Sequence, residues 1–253
     1  MKTETDYPEF VARFYDVIYA HIRAAVDTEF ILQEIAAAKG KVLEVGLGTA
    51  RFFVEALKNG ADIFGVDLSA SMIGRLKEKI PPGHHSRLWI QNAVTMRLPH
   101  RFNLVLAPFR VFSHLCVVDE QIECLNNIWN HLEDGGRFIF DLYVPNPAML
   151  ASGLDHKTDF EGEYEPGKRL RRITSMQADV VNQISRVRMD YVWDERGTEQ
   201  QASWEFDMRF YFRYEIEHLI RLSKLKLEAI YGDYLKNPLN RDSKEFIVVC
   251  SRA

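Results

Sequence analysis

The sequence predicts an α/β protein: a doubly wound, mostly parallel Rossmann-like sheet with an antiparallel β subdomain inserted after the fifth strand. Three observations carry this. Short apolar runs alternate with stretches of helical spacing up to Val144, and the apolar residues then switch to period two between Asp155 and Arg213. The first apolar run also feeds a glycine turn that opens a helix, in KVLEVGLGTARFF.

In chain order, Tyr7 to Ala38 carries apolar residues at helical spacing (Phe10, Phe14, Val17, Ile18, then Phe30, Ile31, Ile35), with a break expected around Val26 to Thr28. Two helices therefore precede the first strand. VLEVG is followed by RFFVEALKNG, ADIFGVD by SASMIGRLKEKI, and then come RLWIQ, NLVLAPF, DEQIECLNNIWNHLEDGG and RFIFDLYV. Strands and helices alternating in this way imply right-handed crossovers and a sheet covered on both faces. Val187, Met189, Tyr191 and Trp193 alternate with polar residues, as do Trp204, Phe206, Met208, Phe210 and Phe212. The polar stretch DERGTEQ, centred on Arg196 and Gly197, reads as their hairpin connection. The insertion is placed at 151–213 within a single domain, 1–253. A helix over Tyr214 to Leu225 and two strands, LEAIYGDYL and FIVVCSR, close the chain. The basic run KRLRR, Lys168 to Arg172, reads as a solvated strand edge.

Composition removes several classes of function. With 32 Lys and Arg against 36 Asp and Glu, a formal charge of −4 leaves no field to hold nucleic acid. The opening MKTETDYPEF lacks the apolar stretch of a secretory signal and no run is long enough to span a membrane, so a cytoplasmic protein is expected. Cys116, Cys124 and Cys250 show no metal-binding or disulfide spacing, His84 and His85 read as loop surface, and no metal site is expected.

Gly46-Leu47-Gly48-Thr49-Ala50-Arg51 meets the first two glycines of a dinucleotide turn but puts Arg51 where the third small residue belongs, and it lacks a P-loop's Lys-Ser/Thr ending. Glu44, just ahead of these glycines, would repel a pyrophosphate and attract a cation. Asp67 closes the second strand, where an acid can take both hydroxyls of a ribose. These residues describe a ribosyl ligand with positive charge.

Together they resemble the class I S-adenosylmethionine-dependent methyltransferases, and more narrowly the small-molecule sugar-amine and glycine-type N-methyltransferases. The acid-x-Gly-x-Gly-Thr motif is matched by Glu44, Gly46, Gly48 and Thr49, the ribose-binding acid by Asp67, and the adenine-facing position by Asn92. FNLVLAP and LNNIWNHLEDGG are similar to the family's fourth and fifth strand segments, with Asn103 and Glu133-Asp134 as departures. Ala50 replaces a glycine and is expected to keep a negative φ. The resemblance is clear over Tyr7 to Val144 and implies S-adenosylmethionine as cofactor, held by Glu44, Gly46, Gly48, Thr49, Asp67, Asn92 and Tyr19. It also implies an N-terminal helical lid, 1–40, in which Tyr15 and Tyr19 face the sulfonium. Asp16 is expected to be a solvated or capping acid.

The loop APFRVFSHL lacks the polar-Pro-Pro-aromatic run of enzymes that methylate bases or glutamine, and offers Arg110, Ser113 and His114 instead. Resemblance to the sugar-amine enzymes places His114 near an acceptor nitrogen, with Tyr15 as the other catalytic candidate and within its reach. Tyr143, Arg209 and Arg213 are candidates for lining an acceptor pocket, and the insertion for walling it or for a homodimer contact. The expected reaction is methyl transfer to a small-molecule acceptor, an amine ahead of a hydroxyl. A non-catalytic binder of S-adenosylmethionine or S-adenosylhomocysteine, and a nicotinamide-dependent oxidoreductase, are the alternatives.

Overall fold

A computed structural model describes residues 7–22 and 26–252, so the first six residues of the expected lid lie outside the described residues. The chain opens with α1 (Glu9–Ile22) and α2 (Val26–Ala37), then runs β1 (Val42–Val45), α3 (Arg51–Lys58), β2 (Ile63–Asp67), α4 (Ala70–Lys79) and β3 (Leu88–Ile90). It continues through β4 (Phe102–Ala107), a 3-10 turn at Val111–His114, α5 (Val118–His131), β5 (Leu132–Tyr143) and α6 (Pro147–Ser152). Four long strands follow, β6 (Leu154–Glu165), β7 (Lys168–Asp179), β8 (Ile184–Glu195) and β9 (Thr198–Arg209), and the chain closes with α7 (Arg213–Leu222), β10 (Lys226–Tyr231) and β11 (Glu245–Ser251).

Seven strands form one sheet in the order β10-β11-β5-β4-β1-β2-β3, parallel except where β11 runs against β5 and β10. Its strands are apolar on both faces because both are covered. Leu43, Val105 and Phe138 pack with α5 and α7, through Leu125, Ile128, Ile216 and Ile220. Their neighbours Val42, Leu104, Leu106 and Ile139 pack on the other face with Phe30 and Ile31 of α2, Phe53 of α3 and Ile73 of α4. Among the described residues no helix is long and apolar enough to cross a membrane.

The insertion is a separate four-stranded antiparallel sheet, β6-β7-β8-β9. Glu195 pairs with Thr198, so Arg196 and Gly197 alone make the β8–β9 turn, both with positive φ (52° and 80°) as a type I′ hairpin requires. The apolar face of this sheet, with Phe160, Leu170, Tyr191 and Trp204, is covered by Val11, Phe14 and Ile18 of α1. The N-terminal helix therefore lies between the insertion and the parallel domain.

Four details differ from the expectation. The KRLRR run belongs to β7, an interior strand, and Arg172 is buried because Asp159 on the neighbouring strand accepts from its Nε and Nη2 at 2.9 and 3.0 Å. Residues 26–28 begin α2 rather than break a helix, since Asp27 in its first turn pairs with Arg51. Strand β9 stops at Arg209; the alternation continues to Phe212, but Glu215 reaches back to accept from the Phe212 amide at 2.8 Å and turns the chain into α7. That helix ends at Leu222 rather than Leu225, at Ser223, whose Oγ accepts from the Leu225 amide.

Phe14 is fully buried between α1 and the inserted sheet, edge-on to Tyr164 and stacked near Tyr191. Phe14→Ala should cost about 3–5 kcal/mol in a denaturant melt, whereas Val181→Ser, at a residue 91% exposed on the β7–β8 turn, should leave the midpoint unchanged.

Candidate active site

Parallel pairing of Glu44 with Gly65 and Val45 with Val66 brings the carboxyl ends of β1 and β2 level. Beyond β1 the chain turns through three residues of positive φ, Gly46 (70°), Gly48 (53°) and Ala50 (65°), before α3 begins. Ala50 thus takes the left-handed conformation expected only of the glycine it replaces, because α3 starts at the next residue and the turn leaves no other path. Leu47 folds onto Gly65, where a Cβ would stand 2.2 Å from Leu47 Cδ1, and Val111 folds onto Gly46, where it would stand 2.4 Å from Val111 Cγ2. Asp67 fixes the turn from the neighbouring strand: Oδ2 accepts from the Gly48 amide and Oδ1 from the Ser69 amide, each at 2.8 Å. Asn92, after β3, accepts from the Val94 amide at 2.9 Å through Oδ1, which retains one lone pair.

Two adjoining cavities open at this edge. One is lined by Gly48, Asp67, Asn92, Tyr7 and His114, the other by Glu44, Thr49, Tyr19, Asp16 and Arg51; Tyr15, Gly46 and Phe109 line both. All the expected cofactor-binding and catalytic residues therefore meet here, divided between two chambers. Tyr15 stacks obliquely on Tyr19, ring centroids 4.3 Å apart, and its ring lies 3.9 Å from the place of a Gly48 Cβ.

Glu44 is buried, and burial pushes its carboxyl up to about 8; Arg51 pulls it down while Asp67 adds to the rise. Its Oε2 has no hydrogen-bond partner among the described residues. His114, which ends the 3-10 turn after β4, is driven down to about 4 by burial alone, so the imidazole is neutral near pH 7. Its Nε2 lies 3.3 Å from the Tyr7 hydroxyl, and its buried Nδ1 has no partner among the described residues. Tyr7 stands edge-on to both Tyr15 and His114, with centroids 6.4 and 6.1 Å away, so it is the residue that carries the contact expected of Tyr15. Phe206 of the insertion packs 5.6 Å from His114 and stacks on Trp204, which packs 4.5 Å from Tyr7.

Tyr143, Arg209, Arg213, Arg110 and Ser113 line neither cavity. Tyr143 bonds Ser185 of β8 and Arg209 reaches the carbonyl of Cys116 and Gln183, so these two fasten the insertion to the parallel domain. Arg213 pairs with Glu217 along α7. Arg110 pairs with Glu245 at 2.9 Å, and Ser113 is buried behind the loop. Asp16 is neither a cap nor merely solvated: it joins Thr49 to Lys79, each at 2.5 Å. Tyr7, Trp204 and Phe206 escaped the sequence reading. For Tyr7 the one local sign is its place directly before Pro8 at the start of α1.

Residues 42–136 match the family model for a methyltransferase domain, the stretch that carries the glycine turn, Asp67, Asn92 and His114. The matched segment is a methyltransferase domain, and the fold is that of S-adenosylmethionine-dependent methyltransferases of class I architecture. The matched domain favours S-adenosylmethionine over a nicotinamide cofactor. Among solved structures the chain is similar to an S-adenosylmethionine-dependent methyltransferase from Clostridium acetobutylicum ATCC 824 (17% identity, 96% of this chain and 97% of that one, TM-score 0.75). It is also similar to the CcbJ methyltransferase from Streptomyces caelestis (22% identity, 98% and 100%, TM-score 0.74). A third is the S-adenosylmethionine-bound amino pentose methyltransferase CalS10 from Micromonospora echinaspora (17% identity, 99% of each, TM-score 0.68). At these identities the shared property is the fold. No curated protein sequence matches the chain.

Two outcomes follow from the geometry. Gly46→Ala combines a φ of 70° with the Val111 contact and should destabilise by about 2–4 kcal/mol; adding Val111→Ala should recover part of that in a denaturant melt. Glu44 binds a proton more tightly folded (about 8) than at its ordinary value of 4.5. Its contribution to stability is therefore full below pH 4.5 and lost as pH rises towards 8. Glu44→Gln should flatten this slope and melt above the wild type at pH 8, while His114, whose shift has the opposite sign, still destabilises both proteins as pH falls from 6.5 towards 4.

Proposed function

We propose that this protein transfers the methyl group of S-adenosylmethionine to a small-molecule acceptor, an amine in preference to a hydroxyl. The carrying observation is a neutral, buried His114 with an unpartnered Nδ1, in the same cavity as Asp67 and Asn92.

The residues at the glycine turn fit the cofactor. Asp67, holding the turn through two amides, closes β2 where an acid can accept from ribose hydroxyls, and Asn92 Oδ1 has a lone pair for an adenine amino group. Gly46 and Gly48 let a ligand approach the backbone. Glu44 supplies a buried carboxyl with an unused oxygen in the chamber that Tyr19 and Thr49 share, where it can accept a hydrogen bond from an ammonium group of the cofactor and so lose its proton. When bound, the cofactor supplies an electrophilic sulfonium methyl whose leaving thioether needs no proton.

What remains for the protein is to place the nucleophile and receive its proton. An amine that has shed its ammonium proton to solvent brings its own lone pair, and an N–H of that amine can donate to His114 Nδ1. With Nδ1 as the acceptor, the neutral ring carries its own proton on Nε2, which donates to the Tyr7 hydroxyl oxygen and fixes the imidazole that orients the amine. Tyr15 lines both chambers, edge-on to Tyr7 and over Gly48, and is the second group available to orient the acceptor. A hydroxyl acceptor would need a far stronger base than an imidazole held near 4. The amino pentose substrate in the name of one structural neighbour supports the same preference.

With S-adenosylmethionine and matched acceptor pairs, such as amino sugars and their hydroxyl counterparts, S-adenosylhomocysteine should form with the amines; product from the hydroxyl members alone would overturn the preference. His114→Ala should lower turnover by about 10²-fold or more while calorimetric affinity for S-adenosylhomocysteine stays within about twofold. Asp67→Ala should remove the thermal stabilisation by S-adenosylhomocysteine, about 2.7 kcal/mol at a hundred times its dissociation constant.

A further inference from the structure

Helix α1 presents two different surfaces. Val11, Phe14 and Ile18 are buried against the inserted sheet, an apolar contact. On the other side Asp16 forms a polar one: its Oδ1 accepts from Thr49 Oγ1 and its Oδ2 from Lys79 Nζ, both at 2.5 Å, and Lys79 Nζ also donates to the Thr49 carbonyl at 2.9 Å. Three elements thus meet at one carboxylate: the lid helix, the glycine turn and the end of α4. Thr49 is buried and lines the Glu44 chamber with Asp16, so the bond is made at the wall of that chamber. The carboxylate itself is about half exposed, 55%, against 34% for Lys79.

From this we infer that Asp16 is a positioning residue: it fastens α1 across the glycine turn, holds Tyr15 and Tyr19 over the cofactor, and must let go for the cofactor to exchange. The inference rests on the glycine turn being the cofactor site. Its physical basis is the contrast between the two sides of α1. Apolar burial against the insertion persists in salt, whereas a half-exposed carboxylate and ammonium are screened by it and separate readily. The lid therefore opens at Asp16, with α1 turning on its apolar contact with the inserted sheet, which Tyr143 and Arg209 keep fastened to the parallel domain. Tyr15 and Tyr19, the residues before and three after Asp16, leave the chambers with it.

The test uses Asp16→Asn, which keeps an oxygen for Thr49 but loses the charge, together with Lys79→Met and the double variant. Stopped-flow dissociation of S-adenosylhomocysteine should be about five- to tenfold faster in each single variant, and the double should be no faster than either because all three break one latch. Wild-type dissociation should accelerate with ionic strength, and that of the variants should not. Hydrogen exchange in the unliganded protein should quicken across α1 in the variants, with melting temperatures unchanged. Dissociation and α1 exchange equal to wild type would overturn the latch, as would additive effects of the two substitutions. Failure of the wild type to bind S-adenosylhomocysteine would instead overturn the cofactor assignment, and the exchange measurement would still decide whether Asp16 holds α1.

Discussion

The turn after β1 is held by two side chains that each occupy the place of a missing Cβ, one reaching into the turn and one reaching out of it. Val111 lies where a Gly46 Cβ would be, and Leu47 lies where a Gly65 Cβ would be. Each contact locks one layer to another: Val111 brings the loop after β4 down onto the glycine turn, and Leu47 pins the turn to β2. Asp67 completes the arrangement by holding the Gly48 amide across the same gap. His114 ends the 3-10 turn that Val111 begins, so the packing at Gly46 sets the distance between the turn and the histidine.

This compactness is bought with backbone strain at the site. Ala50, Phe109 and Arg110 all have left-handed φ, 65°, 67° and 63°, at roughly 1–2 kcal/mol each for residues with a Cβ. The surroundings over-determine Arg110 in particular. Its amide donates to Asp141 Oδ1, its guanidinium pairs with Glu245, and it lies 5.2 Å from the Tyr143 ring centroid. Phe109, beside it, is thereby turned towards Tyr19, at 5.0 Å, and forms part of the wall between the chambers.

What was legible in the sequence is what a short segment decides by itself. The succession of strands and helices along the chain, the glycine turn, Asp67 and the Arg196-Gly197 hairpin depend on local period and turn chemistry, and they stand where that chemistry puts them. Tyr7, Trp204 and Phe206 belong to the same site but come from the two ends of the chain, and only the packing of α1 against β9 brings them to His114. Arg172 shows the same limit. A basic run reads as solvent-facing until Asp159, on the paired strand, supplies a buried partner. Ala50 marks another, since a residue's φ follows from where the next helix must start and not from the residue's own preference.

Charge is distributed unevenly across the two chambers, and this constrains what chemistry suits them. Glu44 lines the chamber away from His114, and Asp67, which shares the histidine's chamber, lies on its glycine-turn side. Around His114 the groups are neutral: Tyr7, Leu115, Phe206, and Cys124, whose thiol burial pushes up to about 12. A protonated imidazole beside a sulfonium would face a repulsion of several kcal/mol where water is excluded. Burial that holds His114 near 4 removes that repulsion at neutral pH and, by the same physics, weakens the ring as a base. Such a chamber works by orientation more than by proton abstraction. A nucleophile that arrives with its lone pair already free suits such a chamber, and this is the physical ground of the proposal that the acceptor is an amine.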